Sequence, residues 1–321
     1  MSYEKSMLEE LRMPPRKDVE DALLKSLFKH DGVIKEFGAG EEIVEEIANY
    51  FGLNEEQRNA FLKTIYRKQN RVKKAYLWNR LLFRAADALS KELLVSRPTQ
   101  TIQITNKREW MLTEKGFDKA LKFFNIPLEQ KEYLPTKSFE VQKVIKKLNE
   151  TRRPQNYNPF DKEKKVVKLT KEIMVRERGF RQAVIEAYSF KCAVCGMKIN
   201  SPDSLRWEVE AAHIVPHSSK GRDDILNGIA LCRLHHWAFD VGWFTLMDDY
   251  KIQVSNQREN LPSDFGKFGD YEIIRAMRDS AKIFLPIRDN IYPHQNAIRW
   301  HRENIFFAGI GYRDQLNIGS V

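Results

Sequence analysis

All three cysteines and four of the seven histidines of this 321-residue chain fall between Cys192 and Asp240. Cys192 and Cys195 form a CxxC pair, and Cys232 with His235 repeats the spacing. Two tight turns of this kind can converge on a tetrahedron. Thiolates with an imidazole are the donors structural zinc prefers, so Cys192, Cys195, Cys232 and His235 read as a closed Cys3His zinc site. Small core thiols would leave two pairs at ligand spacing unexplained. A redox CxxC would need a βαβ frame that the flanking sequence lacks. His236 and Asp240 stand four residues apart, which on a helix puts imidazole and carboxylate on one face, as a second metal ion requires. His235 then points elsewhere and is free for the zinc.

The elements that must carry these groups are short. The run from Trp207 to His213 reads as a strand ending at the histidine, Asn227 to Leu231 as a second strand, and a helix starts near Cys232. Further upstream, helical spacing from Val19 to about Tyr50 predicts two helices split at Asp31-Gly32. A third helix is predicted over 54–69, capped by Asn54, and a fourth over 72–94 with Leu77, Leu81, Leu82, Ala85 and Leu89 on its apolar stripe. Its opposite face carries Arg71, Lys73, Lys74, Arg80 and Arg84. Thr101–Thr105 and Glu109–Leu112 read as a hairpin turning at Asn106-Lys107. Four helices and a hairpin make a winged-helix order.

Through Phe51-Gly52-Leu53, Trp78 to Leu82 and Trp110-Met111-Leu112-Thr113-Glu114-Lys115-Gly116, this part resembles the winged-helix domain at the N-terminus of Mrr-type restriction proteins. The expected organisation is a winged-helix-like DNA-binding domain over 1–127 and a helical basic linker over 128–170, with a nuclease domain over 171–321. The fold class is α+β.

Charge agrees with a polyanionic partner. The total is +10, and it is localised: residues 51–100 and 151–200 each carry +7, whereas 1–50 and 201–250 carry −5 and −4. A basic run of this kind is equally what a solvated surface shows, so it does not by itself select nucleic acid. Three cysteines are too few for a disulfide framework. No secretory signal and no long apolar run is present, so a cytoplasmic protein with no membrane partner is expected.

Ala211-Ala212-His213-Ile214, Asn227-Gly228-Ile229, Leu231-Cys232-x-x-His235-His236 and Phe239-Asp240-x-Gly242 stand in the order of the HNH, or ββα-metal, nucleases, and the segment resembles that family. Phe284-Leu285-Pro286 and Trp300 to Phe306 extend the likeness to the tail of restriction endonucleases carrying the motif. The resemblance implies a ββα-metal domain with a treble-clef-like zinc site. It makes His213 the general base and Asn227 the residue that orients the base or its loop, while His236 and Asp240 hold a divalent ion, magnesium, on the scissile phosphate. A neutral imidazole suits proton abstraction at working pH.

Where many members place a metal ligand just before the base, this chain has Ala212. Glu210, two residues back on the same strand face, is either the missing ligand or a surface carboxylate. His217 reads as a solvated loop histidine, and His294 and His301 as packing groups.

The implied function is a site-specific restriction endonuclease acting on double-stranded DNA as a homodimer, and analogy of architecture alone adds dependence on a modified cytosine, methylated or hydroxymethylated. The alternatives are a catalytically inactive zinc-containing DNA-binding regulator and a homing or mobile-element nuclease.

Overall fold

The computed structural model describes residues 3–37, 41–66, 71–161, 170–202, 206–255 and 281–307. The chain divides into two compact units, 1–143 and 144–321.

In the first unit, Val19, Leu23 and Leu27 recur at i, i+4 and are fully buried on helix α2 (Arg16–Lys29), which follows α1 (Tyr3–Glu10). Strand β1 (Val33–Ile34) and helix α3 (Glu42–Tyr50) come next. Asn54 caps α4 (Glu55–Asn59) reciprocally with Gln57, each side chain accepting from the other's backbone N–H at 2.9 Å.

Beyond this cap the chain departs from the expected helix over 54–69, because Ala60 is extended and Phe61–Tyr66 forms strand β2. Strand β3 (Arg71–Tyr76) pairs with it antiparallel, Phe61 opposite Tyr76 and Lys63 opposite Lys74. Both strands are rich in the β-branched and aromatic types, Phe61, Thr64, Ile65, Tyr66, Val72 and Tyr76, that favour a pleated partner. The helix expected over 72–94 therefore begins only at Leu77, as α5 (Leu77–Lys91). Arg71, Lys73 and Lys74 lie on the strand, so the five basic residues do not share one helical face.

The expected Thr101–Thr105 strand is also replaced. After β4 (Val95–Ser96), Pro98 sits in the first turn of a helix, α6 (Pro98–Thr105), where its missing N–H costs nothing. Asn106 closes that helix in the left-handed conformation at φ 59°. No hairpin joins 101–105 to 109–112. Strand β5 (Trp110–Leu112) instead lies between β1 and β4, antiparallel to both. Helix α7 (Glu114–Phe123) follows, with Gly116 packed where a Cβ would sit 1.8 Å from the Leu94 carbonyl oxygen. Trp78, Trp110, Phe117 and Leu82 are among the large side chains buried in this unit.

Helix α8 (Phe139–Asn149) carries the division between the units. In the second unit, α9 (Thr170–Ala187) buries Phe180, Ala183 and Val184. Strands β6 (Val209–His213) and β7 (Gly228–Cys232) pair antiparallel, Glu210 opposite Leu231 and His213 opposite Gly228. Gly228 lets α9 settle on this pair, since a Cβ there would lie 2.4 Å from the Val184 Cγ2. Helix α10 (Arg233–Asp240) leaves β7 directly, giving a strand–strand–helix unit where the sequence places it.

The hairpin of β8 (Phe244–Leu246) with β9 (Ile252–Val254) and helix α11 (Gln295–His301) complete the unit. Arg153, from the expected basic linker, is spent on the tail: it donates to the Tyr292 and Pro293 carbonyls, the Tyr250 hydroxyl and Gln295 Oε1. Among the described residues no helix is long and apolar enough to cross a membrane.

Candidate active site

Cys192 and Cys195 lie on a turn closed by Cys192 N–H donating to Met197 and Gly196 N–H donating to Cys192, with Gly196 at φ +73°. The other pair sits where β7 passes into α10. The Ala193 N–H bond to Ala230, 2.8 Å, docks the turn beside that strand. The three sulfurs and an imidazole nitrogen lie within 4.8 Å of one another. His235 Nδ1 stands 3.0 Å from Cys232 Sγ and 3.6 Å from Cys192 Sγ. A tetrahedral zinc with bonds of about 2.0–2.3 Å has ligand edges of roughly 3.6 Å, so the donor set fits the ion in chemistry and in scale.

The Cys195 and Cys232 thiols beside Cys192 hold its pKa far below the usual thiol range, and the same contacts push Cys232 up. Burial opposes a charge on His235, yet its bonds to Cys192 and Cys195 outweigh burial and raise it to about 9. Without an ion the site thus pairs one thiolate, Cys192, with the His235 imidazole, and it is the donor types and their spacing that suit zinc. The tail buttresses the site: Phe284 N–H donates to Ala193, and the Phe284 ring lies against Gly196.

His213 ends β6 with its side chain 17% exposed and its ring stacked on Phe180 at 4.1 Å. Desolvation lowers its pKa, a shift that the hydrogen bond to Asp223 partly offsets. The ring is therefore neutral at pH 7 and able to accept a proton. Nε2 lies 3.0 Å from Asp223 Oδ1, and His217 Nε2 lies 2.9 Å from the same oxygen. His217 is thus tied to the same carboxylate as His213 as well as partly exposed. His213, His217 and Asp223 form a second group with ligand atoms within 4.8 Å of one another.

Asn227 is fully buried and its amide bonds to backbone groups of the neighbouring loop. Its Oδ1 accepts from Val215 N–H at 2.9 Å, and its Nδ2 donates to the Val215 and Arg222 carbonyls at 3.0 Å. The amide thereby clamps both ends of the loop between His213 and Asp223. The loop closes at Gly221, where a Cβ would lie 1.7 Å from the Val215 carbonyl oxygen.

His236 and Asp240 meet on one face of α10, Nε2 to Oδ2 at 3.5 Å. Glu210 reaches the same imidazole from the other side, Oε2 to Nδ1 at 3.1 Å, while its Oε1 meets Arg233 Nε at 3.2 Å. The hydrogen bond that the His236 ring donates to Glu210 raises the His236 pKa. Burial raises that of Asp240 against the pull of His236 and His213. Those mutual effects put His213, His236 and Asp240 in one electrostatic neighbourhood. The pair of His236 and Asp240 fits a divalent ion, and Glu210 occupies the ring nitrogen facing away from Asp240, the position of a carboxylate that orients a ligand histidine.

Among the candidate DNA-binding residues, Arg80 and Arg84 both pair with the buried Glu4, at 2.8 and 2.7 Å. Lys74 is exposed, its ammonium 4.8 Å from the centre of the Phe61 ring. The side chains of Arg71 and Lys73 lie outside the described residues.

Asp223, Phe180 and Arg176, which all bear on His213, carry no advance signal in the sequence. The only hint is the acidic pair Asp223-Asp224 just before Asn227. Its members do different work, Asp224 capping the short turn at Leu226.

Residues 192–247 match a family described as HNH endonuclease. Among solved structures the chain is similar to one described as a modification dependent TagI restriction endonuclease, at 22% identity and a TM-score of 0.28, over 39% of this chain and 37% of that one. The chain thus spans less than half the length of that protein. No curated protein matches the chain.

Proposed function

We propose that this protein is a metal-dependent DNA endonuclease that hydrolyses phosphodiester bonds with His213 as general base. The observation that carries the reading is His213 itself: a neutral, slightly exposed imidazole at the end of a ββα unit, sharing its electrostatic neighbourhood with His236 and Asp240. The match of residues 192–247 to HNH endonucleases supports it.

Hydrolysis requires a water to lose a proton while charge grows on the phosphate. His213 takes the proton, Phe180 limits the tilt of its ring, and the Asn227 clamp keeps the strand end and its loop from moving apart. His236 and Asp240 would hold a divalent ion, magnesium in this reading, with Glu210 fixing the His236 ring. When bound, such an ion supplies Lewis-acid stabilisation of the phosphate and the leaving oxygen. Cys192, Cys195, Cys232 and His235 would hold a structural zinc that pins β7 and α10 to the preceding turn.

The N-terminal unit is the DNA reader in this proposal. Its antiparallel β1–β5–β4 sheet set among helices supports the winged-helix reading. Lys74, with Arg71 and Lys73 on the same strand, supplies positive charge toward phosphates; Arg80 and Arg84 add to the field while paired with Glu4. A requirement for modified cytosine rests on the N-terminal resemblance alone, and a homodimer on the need to cut two strands.

The test is incubation with unmodified and cytosine-modified plasmids in magnesium, with chelator controls. Cleavage that chelator stops and that His213→Ala lacks supports the reading. Cleavage by His213→Ala, or binding without cleavage of every plasmid, removes it and leaves a DNA-binding regulator.

A further inference from the structure

We infer that Asp223 is the positioning residue of the base: it anchors His213 through Nε2–H and so leaves Nδ1 with the lone pair that receives the proton. The inference rests on the endonuclease reading only for its catalytic consequence; the anchoring itself is a property of the folded chain.

The Asp223 side chain is fully buried, an expensive place for a carboxylate unless its oxygens are partnered. Oδ2 meets Arg176 Nε of α9 as an ion pair at 2.6 Å. Oδ1 takes His213 Nε2 at 3.0 Å and His217 Nε2 at 2.9 Å. A carboxylate oxygen accepts only, so a neutral His213 must carry its proton on Nε2 to bond there, and the tautomer follows from the contact.

The face and the edge of the ring are then held by different groups. Phe180, stacked 19° from parallel, restrains the tilt; Asp223 restrains rotation within the plane. Arg176 gives the carboxylate a permanent counter-charge. That arrangement suits an anchor and opposes a cation at His213, His217 and Asp223, because a guanidinium already sits on the only carboxylate of the group. Asn227 sets the span of the anchor by clamping the loop on which Asp223 returns toward His213.

The test uses the full-length, zinc-loaded chain with nitrogen-15 in its histidines. Side-chain nitrogen shifts assign the tautomer of each ring, and His213→Ala identifies the His213 signals. The expected spectrum has Nε2 protonated and Nδ1 bare in His213. In Asp223→Asn that preference is lost and kcat falls about 10²- to 10⁴-fold, the usual contribution of a working general base, with KM unmoved. Asp223→Glu recovers part of both.

His213 protonated on Nδ1 in the wild-type protein overturns the inference, and so does an unchanged tautomer in Asp223→Asn. The wild-type spectrum decides the matter even where the asparagine variant fails to fold. The expected tautomers in a protein that cuts no DNA would uphold the anchor and defeat the endonuclease reading instead.

Discussion

His301 couples the tail to the helix that carries the candidate metal ligands, and the coupling should appear as a dependence of stability on pH. The ring is buried and lies flat on Phe239 of α10, centroids 3.6 Å apart and planes 6° from parallel. Nε2–H donates to the Phe239 carbonyl at 3.0 Å, and Nδ1 accepts from the Thr245 hydroxyl at 2.9 Å. Both bonds are those of a neutral ring. Burial lowers the pKa to about 4, against an ordinary 6.5.

A histidine whose folded pKa is depressed contributes its full stability above the unfolded value and loses it as pH falls. The loss begins near pH 6.5 and is complete below about pH 4. At about 1.4 kcal/mol per pH unit, the difference is roughly 3 kcal/mol. His301→Leu keeps apolar bulk against Phe239 but cannot titrate. It leaves two buried polar partners unmade, so at pH 7.5 it should be less stable by about 1–3 kcal/mol. Between pH 6.5 and 4 its disadvantage should shrink and then vanish. Hydrogen exchange across α10 and α11, followed by mass spectrometry at constant zinc, reads the opening of this region directly. Equal pH slopes for the two proteins would refute the assignment of His301 as the titrating group.

Asn227→Ala removes three hydrogen bonds to buried backbone and should destabilise the second unit on the order of 3 kcal/mol, measured by urea unfolding; a loss below about 1 kcal/mol would deny the clamp. Cys192→Ser should lower the zinc content and solubility together, since structural zinc contributes several kcal/mol to folding, and a soluble, well-folded, zinc-free variant would contradict the site. Arg80→Ala with Arg84→Ala leaves Glu4 buried without its cations and should cost about 1–3 kcal/mol in the first unit. Unchanged unfolding midpoints would show those pairs to be incidental.

Ligand spacing was legible in the residues because it is set by local geometry. A CxxC turn brings its two sulfurs together, and four residues of helix align His236 with Asp240, whatever else the chain does. The strand ending at His213 and the helix opening at Cys232 follow equally from short-range pattern. Local pattern failed at 54–76 and 98–105. Phe61–Tyr66 and Arg71–Tyr76 become strands only because each supplies the other's hydrogen bonds, and Pro98 with the Asn106 cap outweighs the β-preference of Thr101, Ile102 and Ile104, the last standing between Gln103 and Thr105.

Contacts formed through space were not legible at all. Asp223 reaches His213 because Asn227 folds the loop back. Arg80 and Arg84 lose their freedom to Glu4, seventy-six and eighty residues away in sequence. Glu210 meets the far nitrogen of His236 because β6 pairs with β7 in a particular register. Sequence determines which atoms are chemically competent; only the folded chain decides which nitrogen of a ring is occupied and which charge is already neutralised, because both depend on distances that no spacing along the chain encodes.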